Sequence, residues 1–380
     1  MSRASDRGYR SRMHVGMATI FQNPFDARPD GEVYAADARL ADLAEPLGFD
    51  SVWGVEHHFT DYTMCPDVLQ WLTWMAARTT RIQVGSMVVV LPWHDPVRVA
   101  EQIAMLDHLS GGRFVLGIGR GLGRVEFEGF RIPMEESRDR FVESATMLLE
   151  GLETGVLAAD GRYVRQPRVA IRPRPALTFR GRTYAAAVSP DSMPIVARLG
   201  CGLLIIPQKP WEVVEAELVE YRRVYREVND TDAPPPLVAG WVYCHEDAAR
   251  ARAGAERYIG GYWESVVRHY ELDGDHLAKT RGYESYGRMS EIARQKGGVD
   301  ALTEFFLGLQ IWGTPAECRA RIDDIQRRVG NAGFVAVFSY AGMPADDAER
   351  NMRCFATSVL PGLRDAPGPR GALGAATAVA

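Results

Sequence analysis

MHVGMATI, residues 13–20, is an apolar run of strand length, and the helical pattern that follows it from Val33 to Leu47 stops at Gly48. The same pairing recurs along the chain. A strand at Asp50–Val55 precedes a helix from Pro66 to Arg78. A strand at Ile82–Val90 precedes a helix opened by Asp95-Pro96, an N-cap with proline at the first helical position. That helix ends in Ser110-Gly111-Gly112, and strand Arg113–Ile118 follows at once. An amphipathic stretch over 135–153 has Phe141, Ala145 and Leu148-Leu149 on one face, and Tyr163–Arg174 suits an irregular hairpin. The alternation resumes with strand Thr183–Val188 and helix Pro190–Leu199, then strand Leu203–Ile206 and helix Trp211–Val228. Strand Leu237–Tyr243 leads to helix Asp247–Tyr270, and strand Phe334–Ser339 to helix Pro344–Leu360. Repeated strand–helix units predict a parallel sheet, and eight of them predict an α/β fold closed as a (β/α)8 TIM-type barrel. A doubly wound sheet is the rival, but it would show a dinucleotide fingerprint early in the chain, and none is there.

The 380 residues are then expected to form one barrel over 13–362, larger than the typical ~250 residues. Residues 1–12 and the Gly/Ala/Pro-rich 363–380 are expected to be disordered. The stretch Leu272–Leu309 interrupts the last unit. It is polar and carries Gly274, Gly282, Gly287, Gly297 and Gly298, which suits a mobile lid inserted before the last strand, over the barrel mouth. Hydrophobic residues at 46% and charged residues at 24% are those of an ordinary globular chain. A net charge of -5 offers no basic footprint for nucleic acid. No apolar run is long enough to span a membrane, and the polar N-terminus has no apolar h-region, so a cytoplasmic location is expected. Five scattered cysteines read as reduced packing thiols. Three lysines against 41 arginines suggest a GC-rich genome.

Barrel active sites lie at the C-terminal ends of the strands, so polar residues there carry the chemistry. After the second strand come Glu56-His57-His58-Phe59, which can place an acid/base group over a ligand. No metal is expected, because HExxH spacing is absent and adjacent side chains on extended backbone diverge. A single histidine satisfying a buried network is the bland alternative. After the fourth strand, Gly117-Ile118-Gly119-Arg120-Gly121-Leu122-Gly123 fails GxGxxG in either register, and Val125–Ile132 does not read as the helix that motif requires. What remains is backbone able to approach a ligand, with Arg120 able to pair with an anion. After the fifth strand, Ser189-Pro190-Asp191-Ser192 reads as an N-cap with proline behind it. That is an anion site suited to phosphate, with plain capping as the alternative. Apolar residues at Met87-Val88 and the Leu91-Pro92-Trp93 bend could face a flat ring, though barrel filling explains them more simply.

Taken in order, several short motifs resemble the bacterial luciferase-like family of flavin-dependent monooxygenases, especially the luciferase α-subunit type. They are Glu56-His57-His58-Phe59-Thr60, Val84-Gly85-Ser86, Val90-Leu91-Pro92, Asp95-Pro96-Val97-Arg98 and Leu106-Asp107. Gly112-Arg113-Phe114, Arg120-Gly121-Leu122, Lys279-Thr280-Arg281-Gly282-Tyr283 and Gly313-Thr314-Pro315-Ala316-Glu317-Cys318 continue the series. The similarity runs over roughly 13–362. It implies reduced FMN (FMNH2) supplied by a separate NAD(P)H:flavin reductase, O2 activated as a C4a-(hydro)peroxyflavin, and one oxygen atom inserted into a small organic metabolite of secondary metabolism. Baeyer–Villiger insertion, hydroxylation and epoxidation are all open.

By resemblance, His57 falls on the catalytic histidine, with His58 and Glu56 beside it. Arg120, Ser189 and Ser192 fall on phosphate-binding positions. Met87-Val88 falls where the family carries a non-prolyl cis peptide under the isoalloxazine. Gly119, Gly121, Leu122, Val188 and Leu203 fall at other flavin positions. Trp93, Lys279, Arg281 and Tyr283 fall at substrate and lid positions, and a homodimer is implied. Three departures make light emission and long-chain aldehydes doubtful. Gly119 replaces a reactive cysteine, Val188 an acidic flavin contact, and Pro207 a tryptophan. An F420-dependent oxidoreductase of the same superfamily and a non-catalytic flavin-binding subunit are the alternative readings.

Overall fold

A computed structural model describes residues 13–287, 298–365 and Leu373. The strands, in chain order, are β1 (His14–Thr19), β2 (Ser51–Gly54), β3 (Gln83–Ser86), β4 (Val89–Val90) and β5 (Phe114–Gly119). They continue with β6 (Val156–Asp160), β7 (Arg165–Ala170), β8 (Thr183–Ala186), β9 (Gly202–Ile205), β10 (Leu237–Cys244), β11 (Ile311–Gly313) and β12 (Gly333–Val337). Eight of them form a closed parallel barrel in the order β1-β2-β3-β5-β8-β9-β10-β12. β1 joins the two ends of the chain, with Val15 opposite Phe334 on one side and Gly16 opposite Ser51 on the other. Leu204 opposite Leu237 closes the ring between β9 and β10. β1, β2, β5, β9 and β12 are buried at every position, as strands covered on both faces must be.

The helices begin where the sequence provides caps. Asp95 accepts hydrogen bonds from the Val97 and Arg98 N–H groups, with Pro96 at the first position, and the helix stops at Gly111 with φ 65°. Asp67 caps Gln70, and Asp247 caps Arg250. The 163–174 excursion belongs to an antiparallel β6–β7 hairpin.

Four features differ from the sequence reading. The third strand is not continuous over 82–90. It breaks after Ser86 at a cis Met87-Val88 peptide, so β3 pairs with β2 and β5 while β4 pairs with β5 alone. Residues 125–132 contain a helix after all, Arg124–Phe130. Its two turns start at Gly123 without a side-chain cap and include Gly129, so neither periodicity nor capping announces it. β11 and the Pro315–Val329 helix lie ahead of β12, although Thr314 and Glu317 form a capping box there. The 272–309 stretch contains helices at His276–Lys279 and Gly298–Leu309. Phe306 and Leu307 of the latter are buried, and Phe306 stacks on Trp263 with ring centroids 4.6 Å apart. Residues 288–297 of the expected lid, the N-terminal 1–12, and 366–372 and 374–380 of the expected tail lie outside the described residues. The tail's first residues continue a helix, Leu360–Asp365, with Leu363 buried.

The N-terminal rim of the barrel is fastened by charge. Arg182, 1% exposed, binds Asp107 through both guanidinium arms at 2.6 and 2.9 Å and donates to the Phe114, Leu177 and Thr178 carbonyls. Removing one member of such a pair leaves its partner's charge buried and unpaired. Arg182→Ala is therefore expected to lower stability by about 3–5 kcal/mol, read as a reduced midpoint in urea denaturation, while a protein that unfolds at the wild-type midpoint would show the pair to be dispensable.

Candidate active site

At the C-terminal ends of the strands a cleft is lined by Met87, Val88, Trp93, Leu122, Val188 and Ile206, among others, with charge at its two ends. Arg120 leaves β5 and enters one end. Its Nη1 donates to the Gly282 carbonyl at 2.9 Å, and its guanidinium lies over the Tyr283 ring, 4.0 Å from the centroid. Tyr283 is fully buried, with its hydroxyl 2.9 Å from both the Gly121 carbonyl and Ser137 Oγ, so it shelves Arg120 rather than facing a ligand. Arg138, on the Ser137–Thr154 helix, brings a second guanidinium to the same Gly282 carbonyl at 3.2 Å and also meets Asp191. Its buried Nε has no hydrogen-bond partner among the described residues. Sequence reasoning missed Arg138 because it lies far from any strand end, on the polar side of an amphipathic helix.

The 189–192 turn is not capped as expected. The helix starts at Ser192, with Asp191 in the N-cap position and no side-chain cap. The Ser189 hydroxyl instead shares a 2.6 Å hydrogen bond with that of Ser192, and Ser192 lines the cleft beside the two arginines.

The glycine run serves the chain itself. A Cβ on Gly117 would stand 2.0 Å from the Ser86 carbonyl oxygen, and one on Gly119 would stand 2.3 Å from Val88 Cγ2. These glycines admit the Ser86–Val88 backbone against β5, so a cysteine at 119 would require Val88 to move. Gly121 takes φ +83°, a conformation open to glycine.

At the other end stand the histidines. His57 lines the cleft, with Nδ1 2.8 Å from Glu126 Oε1 and Nε2 3.4 Å from the Tyr270 hydroxyl. Glu126 is fully buried and also accepts the His58 N–H at 2.9 Å. Burial pushes its carboxyl up, but His57 and His269 outweigh that and hold it at about 2. Glu126 is the second residue the sequence reading missed, because it sits on the unannounced helix. His58 is buried against Phe130 and Trp93 and is not among the cleft-lining residues.

Glu56 touches the cleft but is fully engaged. Oε2 accepts the Val90 N–H at 2.9 Å, and Oε1 meets His94 at 2.6 Å and His58 at 3.1 Å. It therefore clamps β4 behind the cis peptide rather than presenting a free carboxylate. His57, Glu126 and His269 offer ligand atoms within 4.8 Å of one another. Glu126 Oε1 is shared by His57 and the His58 N–H, while Oε2 and His269 Nε2 stand 3.5 Å apart, neither with a hydrogen-bond partner among the described residues.

Of the other expected positions, Leu203 is buried in the barrel wall. Lys279 is exposed and paired with Asp275, and Arg281 is exposed and bound to Asp139 at 2.7 Å. None of the three lines the cleft. Gln208, Tyr270 and Tyr286 do line it, without having been singled out from the sequence.

Residues 13–332 match the family described as luciferase-like monooxygenase. The alkanal monooxygenase alpha chain of Photobacterium leiognathi is 28% identical over 354 residues, 90% of this chain and 98% of that one. The alpha chain of Aliivibrio fischeri is 27% identical over 328 residues, 84% of this chain and 90% of that one. Among solved structures, a monooxygenase from Streptomyces bottropensis superimposes with a TM-score of 0.73 and 28% identity, covering 92% of this chain and 99% of that one.

The Glu56 clamp carries a pH signature. Burial opposes the His94 imidazolium, and Glu56 outweighs it, leaving His94 above its usual 6.5. A group raised in this way stabilises the fold fully below 6.5 and loses that contribution as pH rises through the raised value. His94→Gln is accordingly expected to lower the thermal midpoint more at about pH 6 than at about pH 9; an equal loss at both values would show that the ion pair contributes nothing.

Proposed function

The chain belongs to the luciferase-like monooxygenase family, and from that premise we propose that it is an oxygenase that uses reduced FMN and O2 to insert one oxygen atom into a small organic metabolite. The observation that carries this reading is the convergence of the Arg120 and Arg138 guanidiniums and the Ser192 hydroxyl at one end of an apolar cleft, with His57 at the other. Such an end suits a phosphate, because charge-assisted donors bind phosphate oxygens about twice as strongly as neutral ones. The Arg138 Nε, without a partner among the described residues, is a donor with capacity for that anion. Met87, Val88, Leu122 and Val188 are apolar surfaces suited to a flat ring system.

When bound, the reduced flavin supplies two electrons and the site of O2 activation; one oxygen atom enters the substrate and the other leaves as water. The protein's own residues do the rest. Arg120, Arg138, Ser189 and Ser192 hold the phosphate, and the Tyr283 shelf keeps Arg120 aimed. Gly119 and Gly121 let the β5 end lie against Val88 and Val90. His57 holds or moves a proton at Nε2, where it meets Tyr270. Trp93, Gln208 and Tyr286 shape the substrate side. The segment bearing Lys279, Arg281 and Gly282 serves as the base of a lid that excludes water.

A separate NAD(P)H:flavin reductase supplies the reduced flavin. The protein pairs as a homodimer in the cytoplasm, with Trp74, Met105 and Leu109 standing exposed on the neighbouring Val68–Arg78 and Pro96–Ser110 helices. No helix among the described residues is long and apolar enough to cross a membrane. Baeyer–Villiger insertion, hydroxylation and epoxidation share this site chemistry.

The test is incubation with reduced FMN, O2 and candidate metabolites, with mass spectrometry for a product heavier by one oxygen atom. Turnover without O2 on reduced or oxidised F420 would overturn the oxygenase reading in favour of a deazaflavin oxidoreductase. His57→Ala is expected to cut turnover by about 10²-fold or more, and unchanged turnover would remove His57 from the mechanism. Arg120→Ala is expected to weaken flavin binding by about tenfold or more with the fold intact; flavin retained at wild-type affinity in that variant would refute the phosphate assignment.

A further inference from the structure

Behind His57 lies a buried group that neither phosphate binding nor ring stacking uses. Glu126 Oε1 is 2.8 Å from His57 Nδ1, and its Oε2 faces His269 Nε2 at 3.5 Å. His269 Nδ1 is in turn 3.1 Å from Thr60 Oγ1, and its ring stacks on Tyr62 with centroids 4.3 Å apart. Gly123 leaves room for this pair. A Cβ there would stand 2.3 Å from Glu126 Oε2 and 2.9 Å from His269 Nε2. The titratable side chains packed around the His57 ring are Glu126, His269, Tyr62 and Tyr270. Burial pushes both tyrosines up, so they stay protonated and neutral. Burial likewise disfavours the His269 cation.

An ionised carboxylate only accepts hydrogen bonds. With Glu126 as the acceptor at 2.8 Å, the neutral His57 ring carries its hydrogen on Nδ1, and Nε2 is left as the basic atom on the Tyr270 side. We infer that Glu126, braced by His269 and Thr60 and admitted by Gly123, is the positioning residue that fixes His57 as the Nδ1–H tautomer and presents Nε2 to the cleft. The carboxylate thereby orients an imidazole and holds its tautomer, the role the buried aspartate plays in hydrolytic triads. The inference rests on the proposed role of His57, and it assigns work to Glu126, His269 and Gly123.

The test reads the ring directly and does not depend on turnover. Histidine side-chain 15N shifts are recorded on the full chain at a pH where the ring is neutral, with a chelator present to keep stray divalent ions away. Wild-type His57 is expected as the Nδ1–H form, and an Nε2–H form would overturn the inference. Glu126→Gln keeps the shape but can donate as well as accept, so a substantial Nε2–H population is expected. Gly123→Ala, which displaces the carboxylate, is expected to do the same should Glu126→Gln fail to fold. A pure Nδ1–H ring in either variant would overturn the inference.

In turnover, Glu126→Gln is expected to lower kcat by about tenfold or more with KM within about twofold. The same change in a His57→Ala background is expected to have no further effect, and equal losses in both backgrounds would show a merely structural role. Full turnover by His57→Ala with an Nδ1–H ring in the wild type would remove the catalytic role of His57, while the tautomer assignment would stand.

Discussion

The third barrel strand stops at Ser86, and the rest of the site depends on how that interruption is held. Ser86 Oγ donates to the Gly117 carbonyl at 2.9 Å and accepts the Gly117 N–H at 2.8 Å, a reciprocal bond that replaces regular pairing where β3 leaves β5. Past Met87 and Val88 the chain resumes as β4 against the end of β5, and Glu56 Oε2 takes the Val90 N–H. Between these two fixtures Met87 and Val88 are turned into the cleft as its floor. Glycines at 117 and 119 are a consequence of this arrangement, because any side chain there would collide with the Ser86 carbonyl or with Val88.

From that floor the charges divide. A chain of net charge -5 gathers two guanidiniums on a single carbonyl oxygen at one end and a buried carboxylate between two histidines at the other. A buried charge requires a partner nearby; Arg138 has Asp191 as well as the Gly282 carbonyl, and Glu126 has His57. The Gly282 carbonyl satisfies the arginines only partly, since a neutral oxygen cannot neutralise two cations. Glu126 accepts two hydrogen bonds through Oε1, its Oε2 faces His269 at 3.5 Å, and the two histidines hold its pKa down despite burial. One end thus gathers two guanidiniums, and at the other a buried carboxylate is paired with an imidazole nitrogen.

How much of this was legible depends on how local each signal is. All eight barrel strands were placed by apolar runs, and the helix at Pro96 by its cap, because periodicity and capping are properties of a few consecutive residues. Arg120, His57 and Ser192 were singled out because barrel sites follow strand ends, and all three line the cleft. The short Arg124–Phe130 helix had no such signature, and Glu126 was lost with it. Arg138 reaches the cleft from the middle of a helix, and only packing of that helix brings it there. Lys279 and Arg281, placed by resemblance in the lid, turned out to be exposed ion-pair partners, while their neighbour Tyr283 is buried beneath Arg120.

Local order in the chain alone determined the (β/α)8 barrel and the residue types that stand at the C-terminal ends of its strands. The tertiary structure decided which of them act together. Glu126 and His57 are 69 residues apart and Thr60 and His269 are 209 apart, so no spacing rule could have joined them. Closure of the ring brings the ends of non-consecutive strands within hydrogen-bond range, and directional groups with few partners in a dry interior are then obliged to pair with whatever that closure delivers.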